Sequence, residues 1–153
     1  RREDPFAAEP IDMDAQRNLF AFLKLIRQAE SNDNYFALVG GGEFRNSSDH
    51  PALSGEWEGI RRDDGRLTSA AGAYQITRTT WKDLGGVGRY GDFLPASQDA
   101  AAIDLLKRRG AYTAILEGRF SDALNRLPNE WEAFARMIEG TYPITLSDAQ
   151  SIY

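Results

Sequence analysis

A chain of 153 residues, 42 % apolar and 27 % charged, is long enough to bury one substantial core, which excludes wholesale disorder. It contains no cysteine, so disulfide frameworks, thiol nucleophiles and Cys-based zinc sites are excluded, and no apolar run approaches the ~20 residues that cross a bilayer. The net charge of −5, from 23 acidic and 18 basic residues, disfavours a nucleic-acid partner, which would need a basic surface.

Residues 1–12, RREDPFAAEPID, carry prolines and acids without periodicity and read as a tail or linker, with the folded domain expected over 13–153. From about Asp14 the pattern turns helical. Leu19, Phe22, Leu23 and Ile26 follow the spacing of one helix face, with Asp12 or Asp14 available as N-cap. The signal stops at ESNDN (Glu30–Asn34), a cluster of turn formers. YFALV, GGGEF and RLTSAAGAYQI follow as short β-prone pieces and predict a small sheet. Ser48–Gly65 reads as a long irregular excursion, a kind of loop that is usually functional in compact domains. From Thr77 the chain is helical again. TRTTWKDLG has a threonine cap and a closing glycine, and SQDAAAIDLLKRRG has Ser97 as cap, basic residues in its last turn and Gly110 as stop. AYTAILEG, SDALNRLP and EWEAFARMI predict further short helices. The fold class is therefore α+β, mostly helical, with a small antiparallel sheet between the first helix and the rest.

One residue of the first helix conflicts with its pattern. At ~100° per residue, Glu30 lies about 20° from Leu19 and Leu23 and about 40° from Ile26, on the core-facing stripe. It also stands in the last turn, near the negative end of the helix dipole. Partial burial and the dipole both disfavour its ionised form, and a carboxyl kept neutral near physiological pH is what general-acid chemistry needs. The competing account is that Glu30 swings out of the seam and solvates the helix end.

Of the other polar residues, His50 is the only histidine and precedes a proline, which reads as structural. Gly40–Gly42 lack the Lys-Ser/Thr ending of a phosphate loop and read as close strand packing or a bulge. Trp57, in the excursion, offers a stacking surface for a sugar face, or pins its loop. Asp49 reads mainly as a brace for its loop, with a sugar contact as the alternative.

Four segments in order, AESND (29–33), VGGGEFRNSSDHP (39–51), AAGAYQIT (70–77) and LPASQDAAAIDLLKRRGA (94–111), resemble the phage lambda lysozyme family, with NEWEAF…GTYP (129–143) a weaker match. The resemblance spans about Asp14 to Pro143. It implies a lysozyme-like fold of two lobes with a saccharide cleft between them, and peptidoglycan glycan strands as substrate. Glu30 aligns with the family's single catalytic acid. Enzymes similar to this one cut the β-1,4 bond between N-acetylmuramic acid and N-acetylglucosamine as lytic transglycosylases, leaving 1,6-anhydromuramic ends. The resemblance also implies flexible lips at Ser48–Gly65 and Gly140–Pro143, sugar contacts at Gln75, Tyr74, Tyr35 and Tyr142, and approach of backbone to ligand at Gly72. A monomer with no cofactor, no metal and no membrane insertion is expected, acting in the periplasm or cell wall as a phage-released, tail-borne or secreted enzyme. The chain departs from the family in a shorter segment after Glu30, a reworked upper loop and an acidic net charge.

Two readings compete with the transglycosylase. A hydrolytic muramidase needs a second carboxyl, about 5–5.5 Å away for retention or about 6.5–9.5 Å for inversion, and Asp33, Glu43 and Asp49 are the candidates. A non-catalytic wall-binding module would keep the fold without turnover.

Overall fold

The computed structural model describes residues 12–138. Residues 1–11 of the predicted tail, Tyr142 and the lower lip at Gly140–Pro143 lie outside the described residues. The first helix, α1 (Met13–Ser31), begins where Asp12 caps it: the Asp12 side chain accepts a 2.8 Å bond from Ala15 N. It ends at Asn32, whose left-handed φ of 56° lets the cap amide turn back onto Arg27 O and Gln28 O. Between these caps the predicted stripe is buried, with Phe22, Leu25 and Ile26 fully enclosed.

The chain continues through α2 (Pro51–Ser54), the hairpin β1 (Ile60–Arg61) and β2 (Leu67–Thr68), then α3 (Arg78–Leu84), α4 (Gly86–Tyr90) and α5 (Pro95–Arg108). The last described elements are α6 (Tyr112–Leu116), α7 (Phe120–Asn125) and α8 (Glu132–Ile138). The fold is lysozyme-like, mostly helical with one two-stranded antiparallel sheet in the register Ile60↔Thr68 and Arg61↔Leu67.

Two aromatic centres organise the core. Beneath α1, Phe22 meets Phe120 edge-on with ring centroids 5.3 Å apart and lies 5.7 Å from Phe134. Asn18 ties the same helix to α6 by donating to Leu116 O. Under the hairpin side, Phe93 gathers Trp81 at 4.8 Å, His50 at 5.0 Å and Phe44 at 5.6 Å. His50 is structural, as its sequence context predicts. It is completely buried, its Nε2 pairs with Ile76 O at 2.8 Å, and its Nδ1 accepts from Ala52 N to cap α2. That pairing assigns the neutral Nε2–H tautomer, and burial pushes its pKa down, which keeps it neutral.

Several expectations are corrected. The sheet lies in and just after the Ser48–Gly65 excursion, which is not irregular: it holds α2 and β1, and the Glu56 carboxylate pins it by accepting from Arg45 N and Asn46 N. Of the β-prone pieces, RLTSAAGAYQI (66–76) supplies β2 at its start, while its remainder and the pieces at 35–44 form only isolated bridges, Ala37↔Glu43, Leu38↔Ala71 and Ala71↔Ile76. Ser97 is not a cap. The helix starts two residues earlier because Pro95 is pre-set for the first helical position, and Ser97 Oγ instead donates to Asp92 Oδ1 at 2.6 Å and Tyr90 O at 3.0 Å. The short α4 had no sequence expectation, since its glycines read as loop.

Candidate active site

Glu30 occupies the final turn of α1, and its surroundings follow from how that turn is held. Ser31 Oγ donates to Ala73 O at 2.7 Å and accepts from Asn34 N at 3.0 Å, stitching the helix end to the segment before Tyr74. Asn32 and Asp33 both take positive φ, 56° and 60°, which short polar side chains tolerate best among residues with a Cβ. The chain is thereby folded back so that Glu30 stays on the apolar stripe. Its Oε1 is buried and has no hydrogen-bond partner among the described residues. Burial raises its pKa from the ordinary 4.5 to about 7, with Arg136 opposing the shift and Glu132 adding to it. The sequence argument for a raised pKa therefore holds through burial.

The neighbouring turn is built in the opposite sense. Arg27 Nε donates to Asp33 Oδ1 at 2.6 Å and Arg27 Nη1 donates to the Tyr74 hydroxyl at 2.9 Å. Tyr74 and Tyr35 in turn donate to the same atom, Asp99 Oδ1, at 2.5 and 2.7 Å. The guanidinium carbon also lies 5.4 Å from the Tyr35 ring centroid and 5.8 Å from that of Tyr74. Burial and the Asp99 carboxylate push the Tyr35 phenol up to about 12 and raise that of Tyr74 as well, so both remain donors. Asp99, on α5, is the residue the sequence reading missed. Its only signal is an acid beside Gln98 within an alanine-rich helix, a pattern that ordinarily means a solvated face.

This network corrects the sugar contact expected of Tyr74: its side chain is fully buried and its hydroxyl is committed to Asp99 and Arg27. Gly72 is likewise corrected. It permits a close approach, but to protein: a Cβ there would stand 2.3 Å from Gln98 Oε1, and φ is +81°. Gln98 is buried at that point, accepting from Ala73 N at 2.9 Å and donating to Tyr35 O and Phe93 O. Gln75 is half-buried with φ 51°, and its amide nitrogen donates to Gly72 O at 3.0 Å and Ala37 O at 3.4 Å. Asp49 is a brace, with Oδ1 accepting from Trp81 Nε1 at 3.0 Å and His50 N at 2.7 Å; that leaves its sugar contact without support. Tyr35 is half-buried, packed in part against the core. Trp57 packs partly against the core and lines a separate cavity, of which Glu30 is not a wall.

The three candidate second carboxyls are all engaged by protein groups: Asp33 by Arg27, Glu43 by Asn34 Nδ2 at 3.2 Å, and Asp49 by Trp81. No group of His, Asp and Glu among the described residues is arranged to hold a metal ion. Among the described residues, Glu30 is the one carboxyl that combines a buried, unpartnered oxygen with a pKa raised to about 7.

A family model described as Endolysin matches residues 20–153. The chain belongs to the endolysin family. Among curated relatives, the endolysin of Escherichia phage lambda is 32 % identical, over 79 % of this chain and 78 % of the relative. That of Escherichia phage P2 is 30 % identical, over 78 % of this chain and 80 % of the relative. Bacteriophage lambda lysozyme complexed with a chitohexasaccharide superposes with a TM-score of 0.66 at 29 % identity, covering 94 % of this chain and 92 % of the other. A second structure of lysozyme from bacteriophage lambda gives a TM-score of 0.66 at 28 % identity, over 95 % and 92 % of the two chains. Membership makes the chain a lysozyme-like enzyme of the peptidoglycan-degrading class. Among the described residues, no helix is long and apolar enough to cross a membrane.

Proposed function

We propose that the chain is a lytic transglycosylase in which Glu30 acts as acid and then as base on the β-1,4 bond between N-acetylmuramic acid and N-acetylglucosamine. The observation that carries this reading is that, among the described residues, Glu30 is the one carboxyl with a buried, unpartnered oxygen and a pKa near 7, while Asp33, Glu43 and Asp49 each accept from a protein donor. Neutral Glu30 gives its proton to the glycosidic oxygen while the bond to the muramic C1 breaks and an oxocarbenium-like centre develops. The muramic C6 hydroxyl then bonds to that C1, and its proton passes to the Glu30 carboxylate. No water is consumed, and the acid is regenerated. The attacking hydroxyl belongs to the substrate, where well-oriented intramolecular groups reach effective molarities of about 10⁵–10⁸ M, so a dedicated water-activating base is unnecessary. A two-carboxyl hydrolase would ask one of the engaged acids to leave its partner first.

Burial serves the chemistry at both ends. It keeps a large fraction of Glu30 protonated at neutral pH, and it makes the carboxylate formed after proton donation basic enough to take the C6 proton. In this reading Tyr35 offers a face to a sugar ring, Gln75 contributes its carbonyl oxygen to an acetamido N–H, and Tyr142 is a further glycan contact, whereas Trp57, in the separate cavity, is not placed at the sugar. The ligand in the related lambda lysozyme complex is a chitohexasaccharide, which fits a groove for N-acetylated β-linked sugars. The enzyme acts on the wall as a monomer, without metal or cofactor.

Mass spectrometry of unreduced murein digests tests the assignment. Transglycosylase fragments are one water lighter than hydrolase fragments. Reducing muramic ends in the wild-type digest would establish a muramidase instead, and sugar binding without turnover would establish a binding module.

A further inference from the structure

A second concavity, of about 720 Å³, lies between the β1–β2 hairpin and α3 and is not part of the Glu30 site. Its walls combine an indole, an aliphatic side chain and charges of both signs: Trp57, Glu58 and Leu67 on the hairpin side, Arg78 and Lys82 on α3. Leu67 is 59 % exposed, unusual for a leucine on a strand, and it borders this space. Arg78 and Lys82 are four residues apart on one helix, so both cations face the same way and repel each other. No ion pair among the described residues engages Arg78, Lys82 or Glu58. In a chain of net charge −5, whose arginines mostly stand beside aspartates and glutamates, Arg78 and Lys82 give this cavity two cations that no ion pair holds, facing one acid, Glu58.

We propose that this cavity binds the acidic stem peptide of peptidoglycan, with Arg78 and Lys82 on its carboxylates, Glu58 on its amino or amide groups and Trp57 with Leu67 against its aliphatic parts. The inference rests on the proposed murein substrate and extends it from the glycan to the peptide. Stem peptides carry free carboxylates together with amino or amide groups, which is the mixed chemistry this cavity complements; a bare glycan of N-acetylglucosamine offers no charge for Arg78 and Lys82. Connectivity permits both parts to be bound at once. Gln75, expected at the sugar, and Arg78 are separated by three steps of chain, at most about 11 Å, whereas an extended peptide of four or five residues reaches about 13–18 Å. One murein unit therefore spans the distance.

The experiment compares wild type with the charge-reversed R78E/K82E and the neutral R78Q/K82Q on two substrates: intact murein, and the same glycan strands after enzymatic removal of their peptides. Both variants are first checked for the wild-type melting temperature, and the neutral pair keeps the test valid if charge reversal impairs folding. On intact murein kcat/KM should fall about tenfold, the loss expected of one charge-assisted contact, with the change carried by KM. Raising the salt should narrow the difference, because the contact is exposed. On peptide-free strands all three proteins should agree within about twofold, since neither side chain is placed at the glycan. Equal losses on both substrates, or none on intact murein, overturn the proposal. If wild type cleaves neither substrate, the transglycosylase reading fails on its own, and isothermal titration with free stem peptide decides the cavity. Binding that disappears in R78E/K82E upholds the site, and no binding to wild type refutes it.

Discussion

Glu30 and Asp33 lie within one turn of chain at the end of α1, yet one carboxyl has a buried oxygen without a partner while the other is clamped by Arg27 at 2.6 Å. The same helix end thus treats two acids in opposite ways. Burial lifts Glu30 to about 7 against the opposing charge of Arg136, whereas Asp33 accepts from the Arg27 guanidinium at hydrogen-bond distance. The difference teaches that the proposed proton donor is defined as much by what Arg27 holds as by what Glu30 lacks. Arg27, Tyr35, Tyr74 and Asp99 consume the polar capacity around the turn and leave the catalytic candidate alone on its apolar stripe.

The sharpest way to break this contrast is to change Glu30 itself. Glu30→Gln keeps the shape and removes the transferable proton, so turnover of murein should fall by about 10²–10⁴, the usual contribution of a general acid, while binding of chitohexaose stays within a few-fold. Fragment release at wild-type rates by this variant would remove Glu30 from the mechanism. In the wild type the alkaline limb of the pH–rate profile should fall through about 7, because only the protonated acid can act.

Stability measurements test the same group without substrate. An acid whose folded-state pKa is raised favours the native state only while it is protonated in both states. Its contribution is whole below about 4.5, the ordinary value, and is lost as pH rises toward about 7. The wild type should therefore lose on the order of 3 kcal/mol relative to Glu30→Gln across that window, with the two proteins converging at low pH. Urea unfolding at pH 4, 6 and 8 reads this directly, and parallel curves at all three values would mean that the carboxyl is hydrated.

How much of this was legible beforehand depends on the range of the interactions. Glu30 could be read because its placement follows from a local period of ~3.6 residues and a cluster of turn formers immediately after it. Asp12 as a cap and Thr77 before α3 were legible for the same reason. Tyr74 was not, because its burial depends on Arg27 and Asp99, which lie 47 and 25 residues away in the chain. Only half of the hairpin was legible: β2 lies in the β-prone RLTSAAGAYQI, whereas β1, two residues inside the excursion, carries no alternation to detect. Gly72 was singled out for an approach to ligand, and its actual neighbour, Gln98 on α5, could not be inferred from its own segment.

Loosening the clamp should blur the contrast between the two carboxyls. Arg27→Met leaves both Asp33 and the Tyr74 hydroxyl without the donor Arg27 supplies, at a cost of about 1.5–3 kcal/mol for a charge-assisted network. With the helix end freed, water reaches Glu30, and the alkaline limb of kcat should move from about 7 toward the ordinary carboxylate value of 4.5. Arg27→Lys restores the charge but not the fork that reaches both Asp33 and Tyr74, so it should recover only part of both effects. An unchanged limb in Arg27→Met would reduce the network to a fold-stabilising role with no influence on the proton donor.

The smallest effect is expected where pairing occurs without burial. At the hairpin tip, Asp64 accepts from Arg66 N at 2.9 Å through Oδ1 and from Arg66 Nε at 2.8 Å through Oδ2. These bonds hold its carboxyl below the usual range, but here water competes for every group. A depressed pKa contributes stability above the ordinary 3.8 and gives it up as pH falls below that value. Solvent screening makes that contribution small, and Asp64→Asn retains the acceptor for Arg66 N, which is the first cause of the shift. The melting temperature of Asp64→Asn at pH 7 should therefore match wild type within about 2 °C. A larger drop would mean that ion pairing at an exposed turn matters in this fold as much as the clamp beside Glu30, and that geometry rather than burial separates the two carboxyls of α1.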